Sequence, residues 1–201
     1  MIGIINYGLG NLGSIRNMLT RLGYLSQIID KPEDLKNATK IILPGVGSFD
    51  VGMSFLKNGG WVDILQEQTQ KNKIPTLGIC LGMQLMTKNS EEGKEQGLGW
   101  IDASVLKFPD GNLRVPHMGW NTVIPTSRDS RLIRMEDEAD RFYFVHSYYV
   151  KLNDEKLEAG FTNYGFRFTS AFQKENIYGV QFHPEKSHRF GKELLKTFCQ
   201  Q

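Results

Sequence analysis

The chain has little cysteine: two residues in 201, Cys80 and Cys199, too far apart for the paired spacing of a zinc site. It also lacks a surplus of either charge, with 24 basic side chains against 22 acidic ones and a formal net charge of +2. Proteins that grip nucleic acid or an anionic membrane carry a strong basic excess, so neither is expected as a partner. No apolar run approaches the ~20 residues of a membrane span. The opening Met-Ile-Gly-Ile-Ile-Asn has no basic leader and too short an apolar stretch for a signal peptide. Ile2 stands where myristoylation needs glycine. Repeats, low-complexity tracts and linkers are missing as well. These absences lead to four expectations: a single domain over residues 1–201, a cytoplasmic location, reduced thiols, and no metal or cofactor.

What is present is an ordinary globular balance, 40% hydrophobic and 23% charged. Short apolar runs at 1–6, 27–30, 40–45 and 75–80 read as strands, several ending in glycine or proline. Helical periodicity separates them, from Asn11 to Leu22 and from Asp50 to Asn72, the second interrupted at Gly59-Gly60. Beyond Gly97 the pattern changes to short strands around 104–108, 119–124, 141–150, 158–162 and 178–182, followed by a last helix over 191–199. The expected fold is α/β: a mostly parallel central sheet with flanking helices and an antiparallel elaboration. Ligands in such sheets sit beyond the carboxyl ends of the strands.

Gly78-Ile79-Cys80-Leu81-Gly82 places a thiol between a buried strand and a helix. A sharp strand-to-helix turn holds its nucleophile in a strained backbone, and glycines on both sides let the turn close. Backbone N–H groups and the positive end of the following helix favour thiolate over thiol. A lone cysteine at a strand end is usually just a small buried residue. The paired glycines shift the reading toward a nucleophile, whereas Cys199, near a helix end, reads as structural.

A cysteine hydrolase needs an imidazole to move protons and usually a third group to orient it. His183-Pro184-Glu185 offers both. Proline biases the residue before it toward extended backbone, where positions i and i+2 share a side, so His183 and Glu185 are placed to meet. The other histidines are weaker candidates: His117 in a loop after Pro116, His146 in a strand without a nearby carboxylate, His188 among basic residues. Pro44-Gly45-Val46-Gly47 follows another strand, and its glycines let backbone N–H groups approach a developing oxyanion. Gln84 lies one helical turn past Cys80, where its amide can address a polar substrate; a surface glutamine and a plain turn are the simpler readings of these two features.

Taken together, Pro-Gly-Val-Gly at 44–47, Gly-Ile-Cys-Leu-Gly-Met-Gln at 78–84 and His-Pro-Glu at 183–185 resemble the triad-type class I glutamine amidotransferases. More narrowly, Tyr7-Gly8-Leu9-Gly10-Asn11-Leu12, Val115-Pro116-His117-Met118-Gly119-Trp120-Asn121 and Phe144-Val145-His146-Ser147-Tyr148 resemble the glutaminase subunits of imidazole glycerol phosphate synthases. That resemblance implies a triad of Cys80, His183 and Glu185, with an oxyanion hole from the amides near Val46 and Leu81. It implies that Gly45, Gly47, Gln84, Ser147 and Tyr148 hold the substrate glutamine. It further implies a heterodimer with a (β/α)₈-barrel cyclase that receives the ammonia, with Asn11, Met118 and Trp120 at the interface. Tyr143 and Tyr149 fit either that interface or the core.

The chain departs from the usual pattern at Asn6, where an aspartate is common, and in Lys186-Ser187-His188-Arg189-Phe190-Gly191. Two acceptor pathways stay open for the same glutamine hydrolysis: imidazole formation in histidine biosynthesis, and amidation of surface sugars. Readings outside this class are a stand-alone cysteine hydrolase and a catalytically silent binding subunit.

Overall fold

The computed structural model describes residues 1–109, 111, 113–126, 130, 132–133 and 140–201. Short apolar strands alternate with helices through the first half: β1 Ile2–Ile5, α1 Leu12–Arg21, β2 Ser26–Ile29, β3 Lys40–Leu43, α2 Phe49–Asn58, α3 Trp61–Gln66, β4 Thr76–Ile79 and α4 Leu81–Leu85. The second half is strand-rich: β5 Asn89–Ser90, β6 Ala103–Lys107, β7 His117–Thr122, β8 Ile124–Pro125, β9 Arg141–His146 and β10 Tyr148–Leu152. It continues with β11 Glu158–Tyr164, β12 Phe166–Lys174 and β13 Ile177–Val180, and ends in α5 His188–Cys199.

The main sheet runs β2-β1-β3-β4-β13-β12-β10-β6-β5, with β11 branching from β12 to reach β8. The five strands from β2 to β13 pair in parallel, and β12, β10 and β6 continue antiparallel, as the α/β expectation required. β7 and β9 stand apart as a two-stranded antiparallel sheet. No helix among the described residues is long and apolar enough to cross a membrane.

Every residue of β1, β4 and β13 is buried, as expected for parallel strands covered on both faces. Side-chain alternation sorts them into two cores. Ile5, Ile41 and Leu43 face Phe49, Met53, Leu56, Trp61 and Leu81 on one side. Ile4, Ile42, Leu77 and Ile79 face Ile15, Leu19, Leu194 and Phe198 on the other. Helices α2, α3 and α4 thus cover one face, and α1 with α5 the other.

This order brings the three motifs together. β3, β4 and β13 are adjacent and parallel, in the registers Leu43↔Gly78 and Val180↔Ile79. Pro44, Cys80 and Gln181 therefore leave the same edge of the sheet side by side. Asn6, at the end of β1, donates its amide to Asp30 at 2.7 Å and accepts the Gly8 N–H at 3.2 Å. An aspartate there would face a second carboxylate, that of Asp30.

Several boundaries differ from expectation. The stretch 141–150 breaks at Ser147 into β9 and β10, which join different sheets. His117 is no loop residue: it opens β7, paired with His146, and is buried. The 50–72 helix does divide at Gly59-Gly60, and its end winds into a π-helical turn over Glu67–Lys71. The nine-residue β12 went unforeseen. Its central Ser170-Ala171 carries little strand propensity, and pairing to neighbouring strands imposes the conformation there.

Gly82 shows how tightly the edge closes. A Cβ there would sit 1.8 Å from the Leu43 carbonyl oxygen, a backbone atom with no freedom to swing aside. We predict that Gly82→Ala costs about 2 kcal/mol or more of stability through overpacking. Gly13, in α1 with nothing within 4 Å of its Cβ position, is the control, and Gly13→Ala should be neutral or stabilising by about 0.5–1 kcal/mol. Urea unfolding of the two variants measures the difference; equal costs would refute the close-approach argument.

Candidate active site

Cys80 sits at the N-terminus of α4 with φ 54° and ψ −111°, a conformation that L-residues avoid. Its N–H donates to the Val180 carbonyl at 2.8 Å, which ties the turn to β13. The flanking glycines are demanded by contact: a Cβ on Gly78 would lie 2.7 Å from the Gly82 carbonyl oxygen. The Leu81 N–H, first in α4, has no intrahelical acceptor by position.

His183 is extended, as the following proline favours, and its N–H donates to the Tyr143 carbonyl at 2.9 Å. Pro184–Lys186 then closes a 3₁₀ turn instead of continuing the strand. The turn, and not i,i+2 alternation, brings Glu185 back: His183 Nδ1 lies 2.9 Å from Glu185 Oε1, with the two side chains only 1% and 2% exposed. His183 Nε2 and Glu185 Oε2 are buried without a hydrogen-bond partner among the described residues. Burial disfavours a charged ring, but Cys80 and Glu185 outweigh it and push the His183 pKa up to about 10. The thiol is close enough to act on the ring electrostatically, although no formed hydrogen bond joins it to Nε2. A thiol, an imidazole and a carboxylate thus stand near one another, the group types that acyl transfer through a cysteine uses.

A cavity of about 360 Å³ opens beside Cys80, lined among others by Val46, Gly47, Leu81, Gln84, Ser147 and Tyr148. Gly47 has φ +110°, open to glycine and strained for other residues. Gly45 lies beneath the loop and does not line the cavity; its Cβ position falls 2.4 Å from the Tyr7 hydroxyl. That hydroxyl donates to the Pro44 carbonyl at 2.8 Å, which fixes the start of the loop. Gln84 spends its Nε2 hydrogens on the Tyr148 carbonyl at 3.2 Å and Gln181 Oε1 at 3.0 Å. Its own carbonyl oxygen is then what Gln84 can offer a ligand, an acceptor for N–H groups.

Residues 3–201 match the family described as glutamine amidotransferase class-I. This chain belongs to that family. It is 53% identical over 205 residues to imidazole glycerol phosphate synthase subunit HisH 2 of Methanococcus maripaludis, covering 100% of both chains. It is 47% identical to the HisH 2 subunit of Pseudomonas aeruginosa, over 100% of this chain and 99% of the other. Against the HisH subunit of Leptospira interrogans it is 46% identical, with 99% of each chain covered. Among solved structures, a glutamine amidotransferase superposes with TM-score 0.77 at 17% identity over 98% of each chain. PurLQS from Thermotoga maritima superposes with the same score of 0.77 at 16% identity, over 99% of this chain and 97% of the other. At those identities the structural matches speak for the fold alone.

In this amidotransferase, sequence reasoning missed two residues of the site. Glu92 lines the cavity and accepts the Phe49 N–H at 2.8 Å; burial raises its pKa, and that N–H pulls it back. It comes from the loop after β5 and no motif marks it. Gln181 is fully buried and points Nε2 at Cys80 Sγ, 3.8 Å away, while its Oε1 holds Gln84. It stands inside the stretch that ends in His-Pro-Glu, so its position in the motif was the available signal. Of the expected interface residues, Met118 and Trp120 are 61% and 40% exposed, and Asn11 is half-buried before α1. Trp120 stacks on His188 at 5.5 Å and lies 6.3 Å from Tyr143, whereas Tyr149 packs into a cluster with Phe108, Phe166 and Phe168.

Two outcomes are expected. Alanine normally outranks glycine in stability, but at the Cys80 backbone angles the order should reverse, with Cys80→Gly more stable than Cys80→Ala by about 1 kcal/mol in urea unfolding. Secondly, the raised pKa of His183 implies a stabilising contribution that is complete below its unfolded value near ~6.5 and is lost as pH rises toward about 10. The stability gap between the native chain and His183→Gln should therefore shrink between pH 6.5 and 10; a gap that widens with pH contradicts the assignment.

Proposed function

We propose that this chain is the glutaminase subunit of an imidazole glycerol phosphate synthase, releasing ammonia from glutamine for histidine biosynthesis. The observation that carries the proposal is Cys80 on its strained turn facing a buried His183–Glu185 pair, in a chain 46–53% identical to HisH subunits along nearly its whole length.

The cycle is acyl transfer. Cys80 Sγ attacks the side-chain carbonyl carbon of glutamine, and the oxyanion rests on the N–H groups of Leu81 and the Val46 loop. His183 gives its proton to the departing ammonia, leaving a thioester. Water, deprotonated by His183, then attacks the thioester; glutamate leaves and the thiol is restored. Glu185 keeps Nδ1 protonated and the ring aimed, so that Nε2 does the proton work. The substrate is a zwitterion, and the cavity supplies opposite chemistry at its rim. Glu92 complements the α-ammonium, Gln84 accepts from it or from the substrate amide, and Gly47 with Ser147 and Tyr148 frames the α-carboxylate end.

The ammonia acceptor lies on a partner, a (β/α)₈-barrel cyclase seated over the cavity mouth against Asn11, Met118 and Trp120. Val46, which lines the cavity, is exposed as well. Large apolar side chains left in solvent are the composition of an interface anchor. A second reading keeps the same chemistry but delivers ammonia to a surface-sugar amidation partner. What favours it is the departure of Lys186-Ser187-His188-Arg189-Phe190-Gly191 from the usual pattern, next to Trp120, which stacks on His188.

Glutamate release should be measured on the chain paired with each candidate acceptor. Cys80→Ala should lower it by several orders of magnitude while synthesis from added ammonium chloride persists. Glu92→Gln should raise KM for glutamine about tenfold with kcat little changed. Normal turnover by Cys80→Ala would end the proposal, and the acceptor that stimulates release decides between the two pathways.

A further inference from the structure

A second polar chain leads out of the cavity wall, and the reaction cycle leaves it unused. His117 and His146 are a cross-strand pair in the β7–β9 ribbon, both buried. His117 Nδ1 lies 2.9 Å from His146 Nε2, and His146 Nδ1 lies 2.7 Å from the Tyr148 carbonyl oxygen. At the outer end, Asn121 Nδ2 is 3.1 Å from His117 Nε2 and 3.1 Å from the Asn163 carbonyl, while its Oδ1 accepts the Thr122 N–H at 2.8 Å. Both ends of the chain are fixed in polarity. The Asn163 carbonyl and the Thr122 N–H set the Asn121 amide as donor, and the Tyr148 carbonyl can only accept.

One arrangement of protons satisfies these ends with neutral rings. Asn121 donates to His117 Nε2, His117 Nδ1–H donates to His146 Nε2, and His146 Nδ1–H donates to Tyr148. Each ring carries its proton on Nδ1. The surroundings offer no competing partner: His117 is stacked between Phe144 at 4.7 Å and Tyr164 at 4.0 Å, and His146 lies against Phe108, Phe144 and Phe168. Burial pushes the two pKa values down to about 4 and about 3, in keeping with uncharged rings at neutral pH. The same Tyr148 carbonyl receives Gln84 Nε2, and Gln84 passes through Gln181 to Cys80.

Resting on the glutaminase reading, we propose that His117 and His146 are positioning residues, a proton-ordered pair that aims the Tyr148 carbonyl and so holds Gln84 for the substrate. Without the His146 donor that carbonyl loses a partner and its direction, and Gln84 loosens with it. The loss falls on an interaction made with bound glutamine, not on the bond-making step, so it should appear in KM.

The experiment has two arms. In steady-state glutamate release by the assembled synthase, His146→Phe and His146→Gln should raise KM for glutamine about tenfold, with kcat within about threefold. An asparagine amide sits near the Nδ1 position and keeps a donor for Tyr148, so His146→Asn should recover most of the loss. A purely structural role would move stability without this split, and a folded His146→Phe variant with unchanged KM overturns the proposal. The second arm needs no variant. Long-range ¹H–¹⁵N spectra of the unsubstituted chain at pH 7 should show both rings protonated on Nδ1, the minor tautomer of free histidine; an Nε2–H or charged ring at either position overturns it. If the unsubstituted synthase releases no glutamate, the glutaminase reading fails instead, and the spectrum still reports on the pair.

Discussion

The hydrogen bond from the Cys80 N–H to the Val180 carbonyl is the last rung between β4 and β13, and the site hangs on it. Because β3, β4 and β13 are parallel neighbours, their carboxyl ends deliver the Pro44 loop, the thiol and the imidazole segment to one edge. An antiparallel neighbour in any of the three places would have sent one motif to the opposite end of the sheet, roughly 15 Å away for strands of this length. The chemistry is therefore a consequence of strand order. The proposed chemistry needs the thiol and the imidazole segment side by side, and the parallel pairing of β4 with β13 puts them there before any side chain is chosen.

What could be read from the residues was whatever short-range physics dictates. Gly78 and Gly82 announce a turn that no side chain could close, and contacts of 2.7 Å and 1.8 Å at their missing Cβ atoms bear that out. Pro184 predicts an extended His183, and the backbone is extended there. The failures share a different origin. Three neighbours pair with β12, and the Ser170-Ala171 at its centre carries little local instruction to that effect. Glu92 enters the cavity from a loop pinned by long-range bonds, its own carboxylate to the Phe49 N–H and Asp50 to the Lys94 and Glu95 N–H groups. His117 and His146 are 29 residues apart and look ordinary until the ribbon pairs them.

The site also concentrates features that work against stability. Cys80 sits in a backbone conformation costing of order 1–3 kcal/mol. The imidazole and carboxylate of the pair are nearly closed to solvent, each with a polar atom lacking a partner among the described residues. Two apolar cores, one on each face of the sheet, carry this burden. The division of labour is spatial: apolar contacts fill the middle of the strands, and strain with buried polar groups collects where the strands end.

The surroundings of the cavity bear on the proposed partner. Val46 lines the cavity and is exposed, and Met118 and Trp120 are exposed on β7. An acceptor seated on Met118 and Trp120, as proposed, would rest on β7. The first residue of that strand, His117, is bonded into the wall of the glutamine pocket through His146 and the Tyr148 carbonyl. The proposed docking residues and the pocket wall are thus attached to one piece of backbone, and an acceptor on Met118 and Trp120 would lean on the strand that is bonded to that wall.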